Sequence, residues 1–146
     1  MSGLLAALAL RRRGFDVAVF ERVAEPLAGR GAGIVAQPEL KAALRALGLD
    51  PDRDLGVEVP ERLMFSRDGR VTHRMPLAQT MTAWDRVFHL LKAALADADY
   101  HRGKELRRVE QGARVVAHFA DGSAEEGGGC IELLGCGPVC WMIWKI

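Results

Sequence analysis

The first residue in this chain whose type and position suit chemistry is Glu21, an acid that closes the short apolar run Val17-Ala18-Val19-Phe20. Ahead of that run stand Gly3, Ala7 and Gly14, each at a spacing that gives it a physical task. A residue without a Cβ at Gly3 allows close approach of a helix to a sheet or to a pyrophosphate. Ala7 keeps the helix near the strand, and Gly14 suits a left-handed helix terminus. A carboxylate at the carboxyl end of such a strand can accept hydrogen bonds from both hydroxyls of an adenosine ribose. The spacing matches the second half of a dinucleotide-binding βαβ unit, with the first strand and the earlier glycines of that motif missing. The plainer alternative is an ordinary helix–strand unit in which Glu21 faces solvent.

The elements that must position this acid are a helix from Leu4 to about Arg12 and a strand from Val17 to Phe20. Beyond Glu21, Arg22 to Gly31 reads as an irregular loop. Arg30-Gly31-Ala32-Gly33 follows, and glycines around one arginine suit an anion, although without the motif ahead of them a plain turn before a helix would be the favoured reading. Pro38 opens a helix whose apolar positions are Leu40, Ala43, Leu44 and Leu47, ended by Gly48. Arg62–Phe65 and Arg70–His73 flank Ser66-Arg67-Asp68-Gly69, the pattern of a hairpin. A further helix is expected from about Ala83 to Ala96, with Thr82 as N-cap and Trp84, Val87, Phe88, Leu91 and Leu95 as its apolar stripe. Glu105–Glu110 and Ala113–Phe119 predict another strand pair, with a turn at Asp121-Gly122. The fold class is therefore α/β: an incomplete Rossmann-like layer, its first strand missing, with antiparallel strand additions.

The chain has 146 residues, 20 basic and 19 acidic, for a net charge of +1, a balance that points away from nucleic acid and anionic membranes. The apolar run Leu4–Leu10 is too short to span a bilayer, and its positive charges follow it rather than precede it. A cytoplasmic protein is expected. The cysteines, Cys130, Cys136 and Cys140, have a C-x5-C-x3-C spacing without a neighbouring histidine, which matches no zinc pattern, and no metal is expected. His73 and His89 read as solvent-facing, and the sequence does not place a partner that would make them, or Asp85, an acid or base. No catalytic residue is assigned.

At about Gly127 the composition changes. Residues 127–146 hold Glu132 and Lys145 as their only acid and base, together with all three cysteines. The chain thus divides into a partial nucleotide-binding domain with an inserted hairpin, 1–126, and an atypical tail, 127–146, expected to be out-of-frame sequence, a truncation scar or disordered.

Taken together, SGLLAALALRRRGFDVAVFER, RGAGIVAQPELKAALRALGL, the hairpin and TAWDRVFHLLKAAL resemble the N-terminal part of FAD-dependent aromatic-ring monooxygenases. Within the para-hydroxybenzoate hydroxylase-like class, the 2,6-dihydroxypyridine hydroxylase-like branch is most similar. The resemblance covers about Ser2 to Glu126. It implies FAD as cofactor, NAD(P)H as co-substrate, and hydroxylation of a small aromatic ring with O2 in the intact family. It further implies that Ser2 and Gly3 close the pyrophosphate loop, that Glu21 holds the adenosine ribose with Arg22 beside it, and that Arg30 and Gln37 lie toward the pyrophosphate and flavin. Many relatives carry arginine where Trp84 stands, so no flavin contact is implied there. The resemblance lacks the first glycines, the Gly-Ala-Asp-Gly segment expected after Asp121-Gly122, and most of the substrate domain. An inactive fragment is the expectation for this chain. An NAD(P)-linked dehydrogenase and a non-enzymatic fragment stand as alternatives.

Overall fold

The computed structural model describes residues 1–26, 32–53, 55–96, 99–133 and 140–145. The chain forms two compact units, Met1–Gly29 with Phe88–Ile146, and Arg30–Val87.

In the first unit, helix α1 (Ser2–Arg11) is built from Leu and Ala, the strongest helix formers among apolar residues. Gly14, at φ +86°, ends it. The Gly14 N–H donates to Arg11 O at 2.9 Å and the Phe15 N–H to Leu10 O at 3.2 Å, the paired bonds of a Schellman terminus. This turn reverses the chain into β1 (Asp16–Glu21). Leu4, Ala7 and Leu8 of α1 and Val17, Val19 and Phe20 of β1 are buried, and the two elements pack together.

Strand β1 pairs in parallel with a short strand at Tyr100–Arg102 and antiparallel with one at Cys140–Lys145, so the sheet is mixed. The antiparallel neighbour pairs in turn with Gly129–Leu133. The residues set apart as a tail thus add two strands to the α1–β1 layer, and Ile143 lies in a buried cluster with Phe20, Ala117 and Phe119. A second, antiparallel sheet joins Leu106–Gln111, Val115–Phe119 and Ala124–Gly127. Its tight turn uses Gly122 at φ +83°. There Lys104 Nζ meets Asp121 Oδ2 at 2.6 Å and Ser123 Oγ at 2.8 Å.

In the second unit, β2 (Gly33–Val35) leads into α2 (Pro38–Ala46). Gly48, at φ +73°, closes α2 with the same pair of bonds as Gly14: its N–H to Arg45 O at 2.8 Å and that of Leu49 to Leu44 O at 3.0 Å. Strands β3 (Val57–Phe65) and β4 (Val71–Ala83) form a long ribbon, with β4 between β2 and β3. The ribbon is much longer than the eight flanking residues that local pattern predicts, because cross-strand pairing continues through residues without strict alternation. Its register shifts between Val59 and Glu61, around Pro60, which has no N–H to place in the ladder. Helix α3 (Trp84–Ala94) follows directly, and the boundary between the units falls within it.

One local expectation is corrected. Thr82 does not cap α3; it belongs to β4, and its hydroxyl donates to the Leu55 carbonyl. A buried threonine on a strand satisfies its hydroxyl across the fold rather than at the next helix.

Two measurements test this packing. A Cβ placed on Gly56 would lie 2.1 Å from Met81 O, so Gly56→Ala is expected to lower the unfolding free energy by about 1–3 kcal/mol in urea titrations. Asp121 is held below its ordinary value of 3.8 by hydrogen bonds from Lys104 and Ser123. A carboxyl depressed on folding stabilises above its unfolded value and loses that contribution as pH falls through the folded one. The melting-temperature difference between the wild type and Asp121→Asn is therefore expected to be full at neutral pH and to shrink below about pH 4.

Candidate functional site

The geometry around Glu21 is built from two strand ends. Residue 21 ends β1, and its Cα partner in the parallel neighbour (β5, Tyr100–Arg102) is Arg102. Past both strands the backbones lace together: the Lys104 N–H donates to Glu21 O at 2.9 Å, and the Gly103 N–H to Val23 O at 3.3 Å. Gly103 stands at φ +71°, a left-handed conformation that favours glycine; a Cβ there would make only ordinary contact with Ala24. The Glu21 side chain is 4% exposed, and its Oε1 accepts a 2.9 Å bond from the Val23 N–H. At the preceding residue, Phe20 stacks on His101 with ring centroids 4.9 Å apart and lies tilted against Phe119 at the same separation. The carboxylate is thus oriented by one backbone donor, the Val23 N–H. It does not face open solvent.

Ser2 and Gly3 form the first turn of α1, Gly3 buried and Ser2 exposed. The N-cap residue is Met1, without a side-chain cap bond, and no acid lies in the first turn. Such a terminus presents backbone N–H groups and the positive end of the helix dipole to an anion. Arg22 is exposed directly after Glu21. These four residues belong to one unit. Gln37 belongs to the other, where it is the exposed N-cap of α2, and Arg30 lies outside the described residues.

Gln37 also borders a cavity of about 670 Å³ between α2 and the β3–β4 ribbon, to which Lys41, Arg45, Glu58 and Gln79 contribute. Sequence reasoning attended to the buried side of α2 and missed this face, although the i, i+4, i+8 spacing of Gln37, Lys41 and Arg45 marks it. It also missed Gly103 and Lys104, because the three-residue strand before them is too short to leave a periodic signal. His73 and His89 are exposed, as their positions suggested. Among the described residues no group of His, Cys, Asp and Glu could hold a metal, and no helix is long and apolar enough to cross a membrane.

A helix closed by glycine, a strand ending in a fixed acid, and a parallel neighbour define an α/β layer of the dinucleotide-binding class. Comparison with known proteins carries this further. The chain is 36% identical over 130 residues to 2,6-dihydroxypyridine 3-monooxygenase of Paenarthrobacter nicotinovorans, covering 86% of this chain and 32% of that protein. It is 35% identical over 140 residues to 6-hydroxynicotinate 3-monooxygenase of Pseudomonas fluorescens, covering 86% of this chain and 36% of the relative. The fold is similar to that of 2,6-dihydroxypyridine-3-hydroxylase from Arthrobacter nicotinovorans, with a TM-score of 0.74 at 23% identity over 98% of this chain and 53% of that one. It is likewise similar to Klebsiella pneumoniae R204Q HpxO complexed with FAD, with a TM-score of 0.73 at 23% identity over 85% and 34%. No protein-family model matches. Over the residues matched the chain is related to these two ring 3-monooxygenases, and it spans about a third of the length of the curated relatives it matches.

The bond to Val23 gives Glu21 a part in the fold that can be separated from ligand binding. Glu21→Gln keeps the Oε1 acceptor and is expected to unfold close to the wild type, whereas Glu21→Ala strands the Val23 N–H and is expected to cost about 1–3 kcal/mol in chemical denaturation.

Proposed function

We propose that this chain is the FAD-binding portion of a flavin-dependent monooxygenase that hydroxylates a small aromatic or heteroaromatic ring using NAD(P)H and O2 in the cytoplasm. The observation that carries the reading is Glu21: a buried carboxylate at the carboxyl end of a parallel strand, oriented by a backbone N–H, beside a helix packed close through Ala7. The names of the two curated relatives, both ring monooxygenases, support it, as does the FAD in the HpxO structure.

The residues present fit the adenosine end of FAD. Glu21 would accept hydrogen bonds from the ribose hydroxyls, with the exposed Arg22 beside it. Ser2 and Gly3 would turn their N–H groups toward the pyrophosphate at the uncapped start of α1. Arg30 and Gln37 are proposed on the path toward the flavin. When bound and reduced by NAD(P)H, FAD supplies the oxygen chemistry. The chain's own contribution is to bind and orient the cofactor, and none of its side chains is assigned a proton-transfer role.

The fit weakens toward the pyrophosphate. In a doubly wound layer the strand beside β1 runs parallel to it and turns through glycines into the helix. Here that side of β1 is taken by the antiparallel strand Cys140–Lys145 (β10). FAD is therefore expected to bind this chain more weakly than ~1 μM, about −8 kcal/mol, and hydroxylation by the chain alone is expected to be absent. Flavin fluorescence quenching checks this. Glu21→Ala should weaken FAD at least tenfold and leave riboflavin, which lacks the adenosine, unchanged. A submicromolar wild-type dissociation constant, or an FAD affinity indifferent to Glu21, contradicts the reading.

A further inference from the structure

The main chain of Lys104 meets Glu21, and its side chain meets a turn far along the sequence. The N–H donates to Glu21 O at 2.9 Å. Residues 103–105 lie between the strands Tyr100–Arg102 and Leu106–Gln111 and belong to neither ladder, so sheet pairing alone does not set where that N–H points. The side chain does. Its Nζ donates to Asp121 Oδ2 at 2.6 Å and to Ser123 Oγ at 2.8 Å, while the Ser123 hydroxyl donates to Asp121 Oδ1 at 2.6 Å. These bonds close a ring, and the one from Lys104 is the main cause holding the Asp121 carboxyl below its usual range. The turn is itself anchored, with the Ala120 N–H on Glu105 O at 2.8 Å and the Phe119 N–H on Ser123 O at 2.9 Å. The ammonium also lies 5.7 Å from the centre of the Phe119 ring, within cation–π reach. Phe119 in turn packs on Phe20, the residue before Glu21. An exposed lysine–aspartate pair adds little stability by itself. The effect of this one lies in the segment of main chain that it fixes.

We propose that Lys104 is a positioning residue for the adenosine end of the cofactor: its ammonium, clamped on the Asp121–Ser123 turn, holds the 103–104 main chain against the end of β1 and so sets the direction of the Glu21 carboxylate. A lysine beside a nucleotide site would ordinarily be read as a phosphate ligand. Here the ammonium is committed to Asp121 and Ser123, and its influence runs through Glu21. The effect on the cofactor rests on the reading of Glu21 as the ribose-holding acid, whereas the hold on the end of β1 does not.

The test uses the whole chain, read by amide hydrogen exchange and by flavin fluorescence quenching. Lys104→Met keeps an apolar stem of similar length and loses the ammonium. It is expected to speed exchange of the Val23 amide, the donor to Glu21 Oε1, by about fivefold relative to the Phe15 amide of the same unit. It is also expected to weaken FAD by about threefold and to leave riboflavin unchanged. Lys104→Arg keeps the charge and the donors and is expected to restore both readouts to within about twofold of the wild type. Val23 and Phe15 exchanging faster in step would mark a general loss of stability and overturn the proposal. An unmoved Val23, or a loss in Lys104→Arg equal to that in Lys104→Met, would overturn it too. Glu21→Ala separates the two readings. If it weakens FAD and Lys104→Met does not, the positioning role falls alone; if neither variant changes FAD, the ribose reading falls and Val23 exchange still decides whether Lys104 holds the end of β1. Should Lys104→Met fail to fold, Asp121→Asn removes the charge that the ammonium meets and is expected to speed Val23 in the same sense, and no change there overturns the proposal.

Discussion

Two peptide N–H groups, those of Val23 and Lys104, fix the chemistry this chain can offer, because they hold both the side chain and the main chain of Glu21. A carboxylate removed from water costs several kcal/mol unless donors meet it. Everything around it serves that requirement. The parallel pairing of β1 and β5 brings the two strand ends level, Gly103 takes the left-handed turn that follows β5, and Phe20 stacks on His101 across the pair. The bond from Val23 then orients the acid before any ligand arrives, which lowers the ordering cost of binding.

Much of this was legible in the amino-acid sequence because it is encoded locally. The α1–Gly14–β1 unit, α2 with Pro38 and Gly48, the Asp68-Gly69 hairpin and the Asp121-Gly122 turn all combine an apolar period with a residue that the backbone geometry demands. What was not legible depends on partners distant in the chain. Tyr100–Arg102 is a strand only because β1 lies beside it. The outer halves of the long ribbon are strands because they pair with each other. Thr82 looked like a helix cap until Leu55, far away in sequence, offered its carbonyl. At the site, the residue types of Ser2, Gly3 and Glu21 announced themselves, whereas the donors that orient the acid are main-chain groups, which residue types do not reveal.

The sheet around β1 shows two kinds of neighbour serving one strand. On one side the parallel partner aligns strand ends, which is what a nucleotide layer uses. On the other, β10 pairs along the full length of β1 in the opposite sense and brings Ile143 into the cluster of Phe20, Ala117 and Phe119. The composition of residues 127–146 sets them apart, yet the apolar side chain of Ile143 is what burial beside Phe20 requires. A stretch that reads as foreign by charge can serve packing by hydrophobicity, since close-packed interiors respond to volume and polarity rather than to origin.

Pro60 carries a consequence for how copies of this chain meet. Apart from Phe15, the large apolar side chains that are conspicuously exposed among the described residues all lie on the β3–β4 ribbon: Val57, Met64, Phe65, Val71, Met75, Leu77 and Met81. Strand β3 is also the outer edge of its sheet. A greasy, open-edged ribbon is the usual template for runaway stacking of chains into fibrils. The ring at position 60 carries no N–H and sits where the pairing of β3 with β4 shifts register, the kind of irregularity by which edge strands resist continuous pairing with an incoming strand.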